Sequence, residues 1–535
     1  MDRAKVEKKY EALSPFELKD KLIAMAQSPR IKMMLNAGRG NPNWVAVFPR
    51  LAFSILLTFA IEEAHRVMSR PGIAGAPDSK GMGERFLFFC RIHAEQRGTQ
   101  LLENGYRHVT EKLGLDGDSF IGEMVDGILG DHYPTPDRVL PNTEKVIRAY
   151  LDLTMCDSNP PKGTLDIFVT EGGTAAMTYI FNTLKENGLL NPGDKIAIGT
   201  PIFTPYIEIP PLNDYQLVVI EVEQDEENNW QYPAAELEKL ADPSIKAFFI
   251  VNPSNPTSVS MAQESLDKIA ELVKTTRKDL ILLTDDVYGT FVNGFKSLVA
   301  IAPKNTILVY SYSKYFGATG WRLGAIGIYQ DNVMDKMIAA LPPAKKQELY
   351  ERYKTISTDP AGIKLIDRMV ADSRAVALNH TAGLSTPQQV MMVLFSLHEL
   401  LDADYHLYKK EMQDIVHERY ETLYQALGTE GPELPCYACY YTTIDIRKLA
   451  RERYGDEFGT WMETAHEPID FVWRLAAEKG VVLMDGGGFD APEMSVRVSL
   501  ANLFKPDYEK IGRGISDLLD QYKAEWEAAK NPKSE

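Results

Sequence analysis

Residues Ser311–Gly324 read SYSKYFGATGWRLG and follow directly on the apolar, β-branched run TILVY, Thr306–Tyr310. A parallel strand buried on both faces has this composition, because helices cover it above and below. The stretch after it carries serines, a lone lysine, glycines and an arginine. It lacks the GxxxxGK[ST] order of a nucleotide-type phosphate loop. A lysine at a strand end is ordinarily solvated surface, so what this stretch does depends on what the other strand ends hold.

From about residue 165 to 327 short apolar runs alternate with helix-sized segments. LDIFVT, KIAIGT, AFFIVN, ILLTDD and TILVYS have the β-branched content of buried strands, and TAAMTYIFNTLKENG and ESLDKIAELVKTT lie between them. This is the βαβ pattern of an open, mostly parallel sheet with helices on both faces. Ligands of such sheets bind beyond the carboxyl ends of the strands, which is where the chemistry is to be sought.

After LDIFVT come Gly172, Gly173 and Thr174, then a helix. Exposed amides at a helix start bind anions, although a Gly-Gly pair also serves as a plain tight turn. After KIAIGT the aromatics Phe203 and Tyr206 stand at the rim, for a ligand or for packing. Asn255 sits between prolines in NPSNPTS, on a stiff turn that presents an amide. ILLT is followed by Asp285 and, three residues on, Tyr288. The last strand is followed by Ser311, Ser313, Lys314 and Arg322. No histidine or further acid accompanies Asp285 and Asp286 at metal-ligand spacing, so no metal is expected. Gathered at one sheet edge, these residues give an anion cradle, a stacking ring, an amide, a carboxylate, a phenol and an amine. Pyridoxal phosphate uses all of them: phosphate, ring, pyridinium nitrogen and aldehyde.

The 535 residues exceed what one core normally serves, so at least two lobes are expected. The formal charge of −17 repels nucleic acid and anionic membranes. The apolar window from Leu51 meets Glu62 after eleven residues, short of the roughly 20 a bilayer crossing needs, and reads as a buried or interfacial helix. The charged N-terminus lacks a signal core, and the four cysteines build no disulfide framework, so a cytoplasmic protein is expected. Cys436 and Cys439 in CYAC have redox or half-zinc spacing without a second pair, and a structural role is expected. The expected division is residues 1–140, helical, at the small domain and a subunit interface; 141–389, the large α/β domain with an inserted helical segment at about 340–385; and 390–535, a C-terminal small domain.

The SxSK pattern with an arginine eight residues after the lysine resembles the class I aminotransferase group of fold-type I pyridoxal-phosphate enzymes. The resemblance implies a mostly parallel sheet in a large domain and a smaller α+β domain built from both chain ends. It implies that Lys314 forms the Schiff base with the cofactor and shuttles the proton at the substrate α-carbon. Asp285 would pair with the pyridinium nitrogen, Asn255 and Tyr288 with the ring oxygen, and Phe203 would stack on the ring. Gly172, Gly173, Thr174, Ser311 and Arg322 would hold the phosphate, and Ser313 would also contact the cofactor. Arg497, in RVSLAN, would take the substrate carboxylate, with Tyr206 also at the substrate. Tyr133, in DHYPTP, would reach a neighbouring subunit's phosphate, which implies a dimer or larger homo-oligomer.

LSPFELKDKL, LNAGRGNPNW, DHYPTPDRVLP and DGGGFD resemble one subgroup of that family, which releases the β-carboxylate of L-aspartate as carbon dioxide and leaves L-alanine. Arg39 and Lys19 are its candidates at the substrate end of the site. Ser258, where the wider group has glycine after NPT, departs from the pattern outside the chemistry. Transamination shares the early steps, so an aminotransferase without decarboxylation is the alternative expectation. A cofactor-sensing regulator would need a basic DNA-binding module that the sequence lacks.

Overall fold

The apolar runs become strands of one seven-stranded sheet in a computed structural model that describes residues 10, 13, 15–27, 33–212, 214–374, 376 and 383–530. The strands are β1 (Leu165–Thr170), β2 (Lys195–Thr200), β3 (Val218–Glu223), β4 (Ile245–Val251), β5 (Ile281–Asp285), β6 (Thr306–Ser311) and β7 (Gly324–Tyr329). Their order across the sheet is β1-β7-β6-β5-β4-β2-β3. All neighbours run parallel except β7, which is antiparallel to both β1 and β6. The five expected strands are present, and β3 and β7 are additions. β3 is a half-exposed edge whose Glu221 and Glu223 guard it against pairing with another chain.

The reversed β7 explains the position of the opening stretch. Gly324, the first residue of β7, pairs with Thr170 at the end of β1 and with Ser311 at the end of β6. The turn before β7, carrying Lys314 and Arg322, therefore lies at the same sheet edge as the parallel strands' carboxyl ends. A Cβ on Gly324 would stand 2.6 Å from the Gly172 carbonyl carbon, so only glycine lets the two turns pass.

The helices are α1 (Pro15–Ala26), α2 (Val47–Val67), α3 (Met82–Ile92), α4 (Thr99–Glu111), α5 (Gly117–Leu129), α6 (Pro141–Met155) and α7 (Gly173–Glu186), with α8 (Thr386–Asp402), α9 (Leu407–Leu427) and α10 (Lys505–Lys530) further along. The apolar window from Leu51 lies within α2, whose Ala52, Ile55, Leu56, Phe59 and Ala60 are buried. With α3, α4, α5 and one face of α8, α2 builds an apolar cluster separate from the main core. Among the described residues no helix is long and apolar enough to cross a membrane. Within the polar segment 340–385 lie helices Pro343–Tyr353 and Leu365–Ser373, and residues 375 and 377–382 fall outside those described.

A second lobe carries the antiparallel strands β8 (Tyr441–Asp445), β9 (Met484–Asp485) and β10 (Ser495–Ser499), with β10 in the centre. Leu35–Asn36 pairs in parallel with Val481–Val482, and α1 packs beside that pair, so both chain ends build this lobe. The main apolar core runs without a break through the sheet and the second lobe.

Candidate active site

A cavity of about 340 Å³ opens beyond the carboxyl ends of β1, β5 and β6, roofed by the second lobe and by residues 38–41. Of the expected site residues, Gly173, Thr174, Phe203, Tyr206, Asn255, Asp285, Tyr288, Ser311, Ser313, Lys314, Arg322, Arg497, Arg39 and Lys19 all line it. Gly172 stands just behind the wall, where a Cβ would meet the Arg322 guanidinium at 2.4 Å. Tyr133 is elsewhere: it is 65% exposed and lines a different cavity beside α5.

Asp285 ends β5 as the one acidic side chain on the wall among the described residues, facing the basic side chains Lys19, Arg39, Lys314, Arg322 and Arg497. It is buried, and Oδ2 accepts from the Tyr206 hydroxyl at 2.7 Å. Burial pushes its carboxyl up to about 6, while the Tyr206 hydroxyl, the Val287 amide and nearby Lys314 hold it down. Tyr206, expected at the substrate, has its hydroxyl engaged on Asp285. Behind them Asp286 is fully buried. Its Oδ1 accepts from the Thr284 hydroxyl and its Oδ2 has no partner among the described residues.

At the β1 end, α7 starts at Gly173 with no side-chain cap, and Gly172 takes the left-handed φ of 93° that this approach requires. The first amides of a 14-residue helix are thus left to an anion. Arg322, itself left-handed at φ 56°, donates to the Thr319 carbonyl at 2.9 Å. It makes no ion pair among the described residues. Ser311 Oγ donates to Ser313 Oγ at 3.0 Å, so the hydroxyls share one corner.

Arg497, on β10, is 2% exposed, and its guanidinium has no carboxylate partner among the described residues. It donates to Asn255 Oδ1 at 3.0 Å and to the Gly38 carbonyl at 2.9 Å, while Nε is buried without a partner among the described residues. The rings of Tyr441 and Phe489 lie 4.3 and 4.8 Å from its Cζ. Burial lowers its pKa below that of a solvated guanidinium, and the group still stays charged. Lys314 Nζ donates to the Gly40 carbonyl at 3.0 Å, and Tyr440 donates to the same oxygen at 2.8 Å. Residues 38–41 thus rest on both cations through backbone carbonyls.

The sequence reading missed Tyr441. Its hydroxyl lies 3.0 Å from that of Tyr288, and its amide donates to Ser258 Oγ at 2.8 Å. Ser258 thereby fastens the start of β8 while occupying a left-handed φ of 61°. The available signal was the tyrosine pair opening a strand after CYAC, which by itself reads as packing. Cys436 and Cys439 are free. The CYAC turn bonds backbone to backbone with the Asn255 loop, through Ser260 N to Cys436 O at 3.0 Å and Ala438 N to Ser258 O at 2.8 Å.

A family model described as aminotransferase class I and II matches residues 161–515. A Pseudomonas sp. protein named bifunctional aspartate aminotransferase and L-aspartate beta-decarboxylase is 49% identical over 519 residues, covering 96% of this chain and 97% of that protein. An aspartate aminotransferase of Sulfolobus acidocaldarius is 30% identical over 365 residues, 66% of this chain and 76% of that one. Among solved structures, a tetra mutant of Thermus thermophilus aspartate aminotransferase superposes with a TM-score of 0.58 at 18% identity, covering 92% of this chain and 99% of that chain. The aromatic aminotransferase from Pyrococcus horikoshii OT3 gives 0.57 at 18%, covering 94% and 99%, and these structural likenesses concern the fold alone.

Proposed function

The chain belongs to the class I and II aminotransferases, and from that premise we propose that it is an aspartate 4-decarboxylase, converting L-aspartate to L-alanine and carbon dioxide with aspartate transamination as a side activity. The observation that carries the reading is a pair of cations over one cavity. Arg497 is buried with no carboxylate partner, and Arg39 is exposed at the rim with no ion pair, both among the described residues. A dicarboxylic amino acid brings one carboxylate to each. Similarity along 96% of the chain to a relative named for both activities supports the same reading.

The cofactor of this family is pyridoxal phosphate, and the residues fit it. The uncapped start of α7, the bare Gly172 against Arg322 and the paired serines suit a phosphate. Buried Asp285 suits a protonated ring nitrogen, and Phe203 suits the ring face. When bound, the group supplies an aldehyde for the substrate amine and a ring that accepts the electron pair released at carbon.

The side chains supply the rest. Arg497 binds and orients the α-carboxylate, aligned by Asn255 at 3.0 Å. Asn255 keeps its Nδ2 for the ring oxygen that it shares with Tyr288. Lys314 Nζ moves the proton at the substrate α-carbon. Tyr206 holds Asp285 as the carboxylate, which keeps the ring nitrogen protonated. Arg39 meets the β-carboxylate at the exposed rim, where an ion pair is weak. A loosely held carboxylate loses less stabilisation on leaving as carbon dioxide, and that favours decarboxylation over transamination. Tyr133 reaches no group of its own subunit's site, and we assign it to a neighbouring subunit's phosphate, so the enzyme is at least a dimer. The four free thiols support the expected cytoplasmic location.

The test takes the purified holoenzyme, its visible spectrum, and added L-aspartate. A yellow protein that loses its colour on Lys314→Ala and releases carbon dioxide stoichiometric with alanine meets the proposal. Oxaloacetate formed only when a keto acid is supplied, without carbon dioxide, hands the function to a plain aspartate aminotransferase.

A further inference from the structure

Loss of carbon dioxide from a β-carboxylate breaks one C–C bond and leaves the electron pair on the carbon side. That carbon must then take one proton to become the methyl group of alanine, and the overall reaction draws this proton from solvent. Lys314 serves the α-carbon, which leaves the donor to the β-carbon unassigned. This question rests on the decarboxylase reading above.

Several proton-bearing groups on the cavity wall are already engaged. The Tyr206 hydroxyl donates to Asp285, and the single Ser311 hydroxyl proton lies between Ser313 Oγ at 3.0 Å and the Leu323 carbonyl at 3.3 Å. Lys19 lies 3.6 Å from Asp20. Tyr288 serves the ring oxygen. Tyr441 remains. It is 1% exposed, and it is fixed at the start of β8 by its amide on Ser258 and by its carbonyl, which accepts from the Tyr437 hydroxyl at 2.6 Å.

The space in front of that phenol is defined by Gly40. A Cβ there would stand 2.6 Å from the Tyr441 hydroxyl and 3.3 Å from Lys314 Nζ, so the two groups are no more than about 6 Å apart across a gap that only glycine leaves open. The α- and β-carbons of one amino acid are neighbours, so a proton carrier for each belongs on opposite sides of such a gap. The Arg497 guanidinium lies over the Tyr441 ring at 4.3 Å and fixes its plane beside that gap.

We propose that Tyr441 is the catalytic acid that protonates the β-carbon after carbon dioxide has left. Its O–H bond breaks as the C–H bond forms, and the phenolate regains a proton from water.

Rapid-quench on the holoenzyme with L-aspartate tests this, following carbon dioxide and alanine separately. Tyr441→Phe is expected to release one carbon dioxide per site at the wild-type first-turnover rate, while alanine forms about 10²-fold or more slowly. A merely structural role would slow both together, and that result, or no slowing of alanine, overturns the proposal. A wild type that releases no carbon dioxide instead removes the decarboxylase reading on which it rests. Binding of succinate by equilibrium dialysis, which needs Arg497 but no turnover, is expected unchanged in the variant. Should that binding be lost, 3-fluorotyrosine at position 441 keeps ring and hydroxyl while making the phenol more acidic. The basic limb of alanine formation is then expected at lower pH, and an unmoved limb overturns the proposal.

Discussion

The Tyr206 hydroxyl donates to Asp285 Oδ2 at 2.7 Å, inside a wall where Asp285 is the one acid among the described residues. A hydrogen bond to an ionised group is worth about 1.5–3 kcal/mol, and burial makes its loss felt in full. Tyr206→Phe is therefore expected to raise the Asp285 pKa beyond about 6. It should also weaken pyridoxal phosphate binding roughly ten- to a hundredfold, at about 1.4 kcal/mol per decade. Equilibrium dialysis of the cofactor against the apoenzyme measures it. An unchanged dissociation constant would mean that Tyr206 only fills space.

The proposed contact of Arg39 with the β-carboxylate is open to a direct test. It is exposed, and it makes no hydrogen bond or ion pair with a described residue. Arg39→Ala is expected to change the ratio of alanine formation to transamination while leaving the visible spectrum of the bound cofactor intact. Product analysis by NMR at saturating L-aspartate, with and without a keto acid, gives the ratio directly. An unchanged ratio would remove Arg39 from the branch point.

What the sequence made legible, and what it hid, has a physical pattern. β5 and β6 were readable because strands covered on both faces must be apolar along their whole length, which made Asp285 and Lys314 recognisable as strand-end residues. β3 was hidden by its edge position, which allows Glu221 and Glu223 into a strand. β7 was hidden by Gly324 and Gly327, which pack closely against β1 and lower strand propensity. The carbonyls of Gly38 and Gly40 on Arg497 and Lys314 leave no trace in side-chain chemistry, since any residue carries a carbonyl. Tyr441 was hidden because an aromatic pair in a strand reads as packing until its hydroxyl is seen against Tyr288. The cluster of α2 to α5 with α8 joins segments far apart in the chain, which no local period predicts.

Asp286 gives a prediction whose sign can be worked through. Burial pushes its carboxyl from the ordinary 3.8 up to about 8, against the Thr284 hydrogen bond and the nearby Ser297 hydroxyl, with the neighbouring Asp285 charge adding to the rise. Between about pH 4 and 8 the native state keeps a proton that the unfolded chain has released. Wild-type stability is therefore full in acid with respect to this group, and it is lost as pH rises through that window. Asp286→Asn keeps an acceptor for Thr284 and has no proton to lose. Its stability relative to wild type is expected to climb from pH 5 to pH 8, by an amount on the order of several kcal/mol, and to level off beyond. Thermal scans at one heating rate, wild type beside variant, supply the difference in Tm at each pH. A difference that stays flat across the window would mean that Asp286 is already ionised in the folded protein.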